Sequence, residues 1–213
     1  MATRNIVLGS LAVGVAGVCL YLALGRGEPK VDLDTYEVLG AVTAEETAKL
    51  VGNQGQVLVI ARGAGAGRIA SVNAEVGAFQ RALKKRPGLT VVVERILVNP
   101  MMMMGTGGGL PPAQFFKALE AHPNLAAVVL FFGFPQLSEP QLEALKKTGA
   151  KVVVVSSLRP GYEQLLERQA IHLAVVPRPD AADTSAPAPA ARTVRERFDQ
   201  DYMLLRPADA PSP

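Results

Sequence analysis

Hydrophobic and polar positions change period several times along the chain. Five short runs are apolar at nearly every position and rich in β-branched residues: Gln56 to Ala61, Leu89 to Val98, Ala126 to Phe132, Lys151 to Ser156 and Ile171 to Val176. Between the first two, Ile69, Val72, Val76, Phe79 and Leu83 recur at helical spacing until Arg86-Pro87-Gly88 stops the pattern. Helical segments are also predicted over Pro112 to Ala121, Glu139 to Thr148 and Gly161 to Gln169. Strands that are apolar throughout, alternating with helices, belong to a parallel sheet covered on both faces. The expectation is one doubly wound α/β domain over 56–179 with a mainly parallel five-stranded sheet. Its predicted core is Val57, Val59, Ile60, Val91, Val93, Val128, Leu130, Val153, Val155 and Val175.

Upstream the pattern differs. From Ile6 to Leu24 no residue is charged and most are aliphatic, which suits a helix crossing a hydrocarbon core about 30 Å thick. Residues 1–27 therefore read as a single-pass transmembrane anchor, with a cleaved secretory signal ending near Ala23 and Gly25 as the competing reading. Ser10, Gly14 and Gly17 share one face of that helix and would let another membrane helix approach closely. Flanking positive charge is nearly balanced, so the periplasmic or extracytoplasmic placement of the domain is an expectation drawn from the short N-terminus.

A connector, 28–55, carries Thr43 and Glu46 at capping-box spacing before a short helix from Ala44 to Val51, with Gly52 as its left-handed stop. Beyond Pro179 the chain becomes an Ala/Pro linker, 180–192, which cannot build a core. The tail, 193–213, then restores apolar residues, among them Phe198, Tyr202, Leu204 and Leu205. A disordered tail has no reason to carry such anchors, so docking is expected, preferably on a partner protein and alternatively on the chain's own domain.

Composition narrows the chemistry. The 213 residues are 49% hydrophobic yet only 5% aromatic, with no Trp, so small aliphatics must fill the core. The formal charge of +3 is spread along the chain, leaving no basic run for nucleic acid. Cys19 is the only cysteine, which excludes an internal disulfide and a cysteine-held metal cluster. No motif calls for a cofactor.

Three stretches carry a resemblance. Asn73-Ala74-Glu75-Val76-Gly77-Ala78-Phe79 leads to Pro87-Gly88-Leu89-Thr90-Val91-Val92; His122-Pro123-Asn124-Leu125-Ala126-Ala127-Val128-Val129 and Gly149-Ala150-Lys151-Val152-Val153-Val154-Val155 follow. Their rhythm resembles one lobe of the type I periplasmic sugar-binding proteins, over about Gln56 to Arg178. The resemblance implies a flavodoxin-like lobe and solute binding on the outer side of a membrane. Family members hold their ligand between two lobes, whereas this chain has residues for one, and no family ligand contact transfers position by position.

In an open doubly wound sheet, ligands bind beyond the carboxyl ends of the strands where strand order reverses. The first loop there contains Gly65, Gly67 and Arg68 and can cradle a phosphate, serve as a flexible connection or contact a protein. No acidic residue follows at the end of the second strand to hold a ribose; Asn99 stands there instead. Next comes Met101, Met102, Met103 and Met104, four adaptable thioethers that suit a protein partner or the core, and only poorly copper(I). Phe134 and Ser156 end the third and fourth strands. His122 and His172 have no acid placed to orient either of them, and no nucleophile elbow is present.

The sequence thus reads as a non-enzymatic, membrane-anchored accessory or interaction subunit of an envelope complex, with the lipid bilayer and other membrane-protein subunits as partners. One alternative is a solute-binding or sensing domain that holds a small molecule at Gly65, Gly67, Arg68, Asn99 and Ser156. Another is a nucleotide-binding enzyme using the glycine loop.

Overall fold

The computed structural model describes residues 33–63, 69–97, 109–131, 133–157, 161–179 and 193–207. The chain divides into two units, 1–32 and 33–213. The apolar run with Ser10, Gly14 and Gly17 lies outside the described residues. Among the described residues, no helix is long and apolar enough to cross a membrane.

The elements follow one another as α1 (Asp34–Leu50), β1 (Gly55–Arg62), α2 (Ala70–Leu83), β2 (Leu89–Ile96), α3 (Pro112–Ala121), β3 (Leu125–Leu130), α4 (Glu139–Lys147), β4 (Lys151–Val155), α5 (Tyr162–Glu167), β5 (Leu173–Pro177), α6 (Val194–Asp201) and β6 (Tyr202–Leu205). They build one six-stranded sheet in the order β2-β1-β3-β4-β5-β6. The first five strands run parallel, and β6 returns antiparallel beside β5, Tyr202 opposite Pro177 and Leu205 opposite Ala174. The sheet is therefore mixed and six-stranded rather than five-stranded, because the tail contributes its own strand.

Alternation along the strands explains why they read as unbroken apolar runs. Val57, Val59 and Ala61 of β1 enter a core shared with α1, α2 and Phe198. Leu58 and Ile60 enter a second core with Phe115 and Leu119 of α3, Leu145 of α4, and Tyr162 and Leu166 of α5. Neighbouring residues thus serve opposite faces, as both-side burial requires. Of the ten predicted core residues, eight are buried; Val91 and Val93 are only half-buried, because β2 is the open edge of the sheet.

The connector belongs to this domain. Helix α1 starts at Asp34, so Thr43 lies mid-helix and is not an N-cap. Its hydroxyl donates to the Leu39 carbonyl at 2.7 Å, and Thr47 does the same to Thr43 at 2.7 Å, the way a helix absorbs a buried threonine. The expected stop holds: Gly52 takes a left-handed φ of 68°. Packing of α1 on α2 is unusually close at Gly40, where a Cβ would stand 2.1 Å from the Glu75 carbonyl oxygen.

The tail docks on its own domain, which corrects the expectation of a partner. Thr193 and Glu196 form a capping box that starts α6. Phe198 is fully buried, Leu205 is buried and Leu204 packs on the first core; Tyr202 stacks on Phe198 with centroids 5.8 Å apart. Arg195 and Arg206 reach the Glu46 carboxylate at 3.0 and 2.6 Å, and Lys49 joins at 3.2 Å. Burial pulls the Glu46 pKa up, yet the hydrogen bonds from Arg206 and Lys49 outweigh it and hold the carboxyl below its usual range. With α1 and the tail included, the domain extends on both sides of the expected 56–179.

Candidate functional site

The order of the sheet puts its switch point between β1 and β3, since the chain leaves β1 toward β2 on one side and later returns to β3 on the other. A crevice at the carboxyl ends of these strands is the place where such sheets hold ligands. On the β2 side, the Gly63 amide donates to the Ile96 carbonyl at 2.9 Å, and a Cβ on Gly63 would meet Leu97 at 3.1 Å. On the β3 side, the Phe131 amide donates to the Ile60 carbonyl at 3.0 Å, and its ring meets Phe79 edge-on at 5.7 Å. These contacts lie at the carboxyl-end crest of the sheet, between β2, β1 and β3. Gly65, Gly67, Arg68, Asn99 and Met101 to Met104 all lie outside the described residues.

Ser156 is described, and its role is partly internal. Its amide donates to the Val175 carbonyl at 3.0 Å, and its hydroxyl is hydrogen-bonded to the buried Tyr162 phenol. Burial raises the Tyr162 pKa, while Ser156 and the Phe134 amide act against that rise. The phenol thereby ties the loop after β3 to the loop after β4, with Gly133 donating to the Val155 carbonyl at 3.2 Å. Phe134 packs against the second core. Ser156 is thus held from both its amide and its hydroxyl.

The histidines divide. His172 accepts from the Val152 amide at 3.2 Å through Nδ1, and burial, followed by the nearby Lys151 charge, lowers its pKa. It serves as a neutral bracket between β4 and β5. His122 departs from the sequence reading, because Glu94 of β2 faces its Nε2 at 3.5 Å. The pairing is long-range in sequence and joins the end of α3 to the edge strand. Among the described residues, no three His, Cys, Asp or Glu side chains gather as metal ligands would.

One titratable group escaped the sequence reading. Glu75, on α2, is pushed up to about 7 by burial. The Tyr202 pKa is raised by burial and then by the charges of Glu75, Tyr36 and Asp201, which places these groups near one another at the carboxyl end of β5. The signal was present: Glu75 stands three residues after Val72 and four before Phe79, inside the apolar stripe. A carboxyl whose folded pKa is raised favours folding below its unfolded value and loses that contribution as pH rises to the folded one. For Glu75 the window runs from 4.5 to about 7. His172 acts with opposite sign below its ordinary 6.5, since its folded pKa is lowered. The difference between wild type and Glu75→Gln isolates the carboxyl. In thermal melts from pH 5 to 8, the variant should gain on wild type as pH rises to about 7, and the difference should stay constant above it; a pH-independent difference would contradict the burial of this group.

No protein-family model and no curated protein matches the chain. Solved structures do. A glucose-galactose binding protein from Geobacillus stearothermophilus is 13% identical, with 84% of this chain and 62% of that one covered at a TM-score of 0.54. The sugar-binding protein of a sugar ABC transporter from Bacillus halodurans is 16% identical, covering 83% and 63% at 0.54. An ABC transporter solute-binding protein from Agrobacterium vitis, bound with α-D-tagatopyranose, is 18% identical, covering 83% and 58% at 0.53. This chain spans less than two thirds of the length of each. The domain therefore has the type I periplasmic-binding-protein fold.

Proposed function

We propose that the chain is a non-enzymatic solute-binding module that takes a small sugar at the carboxyl-end crest of its sheet. What carries the reading is the agreement between the switch point at β1 and β3, where α/β sheets of this kind bind ligands, and a fold shared with solved sugar-binding proteins. The crest residues in the proposal are Gly65, Gly67, Arg68, Asn99 and Ser156. Backbone amides of a glycine loop together with Arg, Asn and Ser side chains supply the donors and acceptors that sugar hydroxyls need. The apolar run from Ile6 to Leu24 would tether the module to a membrane, with the domain on the extracytoplasmic side. The accessory-subunit reading has lost its docking peptide, since the tail is part of the domain, and the comparisons favour the solute-binding alternative.

The test is thermal stabilisation of the full-length chain by a panel of D-arabinose, D-galactose, D-glucose and D-tagatose. At least one sugar should raise the melting temperature in a saturable way, and Arg68→Ala should remove that shift while leaving the sugar-free melt unchanged. A panel without effect would overturn the proposal.

A further inference from the structure

The outer face of the helix layer carries a pocket separate from the crest. It has a volume of about 410 Å³ and three walls: α1 from Asp34 to Ala41, the end of α2 and the turn after it from Ala78 to Lys85, and the start of α6. This is within the ordinary range for small-molecule sites, roughly 300–1,000 Å³. Each of the two long walls runs about 10 Å at 1.5 Å per residue, and the α6 wall closes the third side, so the shape suits a compact ligand better than a continuing helix.

The lining has two chemistries. Val38, Ala41, Ala78, Ala82 and Val194 are apolar, and Val194 is 55% exposed, unusual for a large aliphatic among the described residues. Around them stand three cations and two carboxylates. Arg81 reaches Glu37 at 3.2 Å and Arg197 reaches Asp34 at 3.4 Å. Among the described lining residues, that leaves the exposed Lys85 as the positive charge in excess. Surface pairs such as these are weak and open easily, so an incoming anion can take the place of Glu37 at Arg81 while lying against Lys85.

We propose that this pocket binds a small carboxylate with an apolar body, the body resting on Ala41, Ala78, Ala82 and Val194 and the carboxylate facing Lys85 and Arg81. The site does not depend on the crest and stands whether or not the crest takes a sugar.

The probe is 2-naphthoate, with uncharged 2-naphthamide as its control. It is titrated into the full-length chain in phosphatidylcholine nanodiscs and followed through alanine and valine methyl resonances, with empty nanodiscs as blank. Naphthoate should shift the Ala41, Ala78, Ala82 and Val194 methyls saturably, and naphthamide should bind at least fivefold more weakly. Lys85→Ala, a surface change that spares the fold, should weaken naphthoate at least threefold, and Ala82→Leu should fill the floor and abolish the shifts. Arg68→Ala should leave them intact. Shifts that never saturate, equal affinity for acid and amide, or indifference to Lys85→Ala would overturn the site.

Discussion

Phe198→Ala is expected to lower the unfolding free energy by about 3–5 kcal/mol, the loss typical of deleting a core aromatic. The size matters because Phe198 lies beyond the Ala/Pro linker, in a tail that the sequence offered as a docking peptide. In the structure its side chain is fully buried in the core that α1 and α2 share, stacked on Tyr202, with the Arg195 guanidinium 5.5 Å from the ring centroid. Urea unfolding followed by circular dichroism measures the loss as a shift in midpoint. A change within about 0.5 kcal/mol, the scale of ordinary surface substitutions, would mean that the tail is not part of the folded core.

Gly40→Ala should also destabilise, against what helix propensity predicts. Alanine in place of glycine within a helix ordinarily gains about 1 kcal/mol. Here the new Cβ would sit 2.1 Å from a backbone oxygen of Glu75, which cannot swing aside. Helices α1 and α2 would have to separate, at a cost of about 1–3 kcal/mol or more for overpacking. Gly77→Ala provides the control, because its Cβ would meet only the flexible end of Arg81 at 3.4 Å. That variant should be neutral or slightly stabilised in the same melts. If Gly40→Ala behaved like Gly77→Ala, the close approach of α1 to α2 would be wrong.

What could be read from the sequence follows from how burial patterns it. Four of the five parallel strands were legible because both faces enter a core, leaving apolar runs with no polar alternation to confuse, while the edge strand β2 keeps Glu94 and Arg95 within its run. Strand β6 was not legible: four residues directly after α6 carry no period, and only pairing with β5 makes them a strand. The start of α1 was misread because a threonine hydroxyl can cap a helix or bond back within one, and Thr43 does the second. From local spacing, Glu46 reaches only Lys49. Its partners Arg195 and Arg206 lie 149 and 160 residues away.

The candidate site was legible to a similar degree. The β-α rhythm was enough to locate the crest and to suggest the periplasmic-binding resemblance, which the solved structures support at the level of fold. Ser156 was correctly placed at the end of its strand, but its hydrogen bond to Tyr162 joins two loops whose proximity only the fold creates. The pairing of His122 with Glu94 escaped for the same reason. Glu75 was the opposite case, a residue whose place in an apolar stripe could have been noticed from spacing alone.

The most direct test of the central claim is an amide chemical-shift map of the full-length chain titrated with the sugar that stabilises it most. The proposal predicts that perturbations cluster at the carboxyl-end loops, around 63–69, 97–110, 132–134 and 156–161, and saturate together. No perturbation with any sugar of the panel, or perturbations centred on the opposite end of the sheet around 52–55, 86–88, 122–124 and 148–150, would contradict a solute site at the crest.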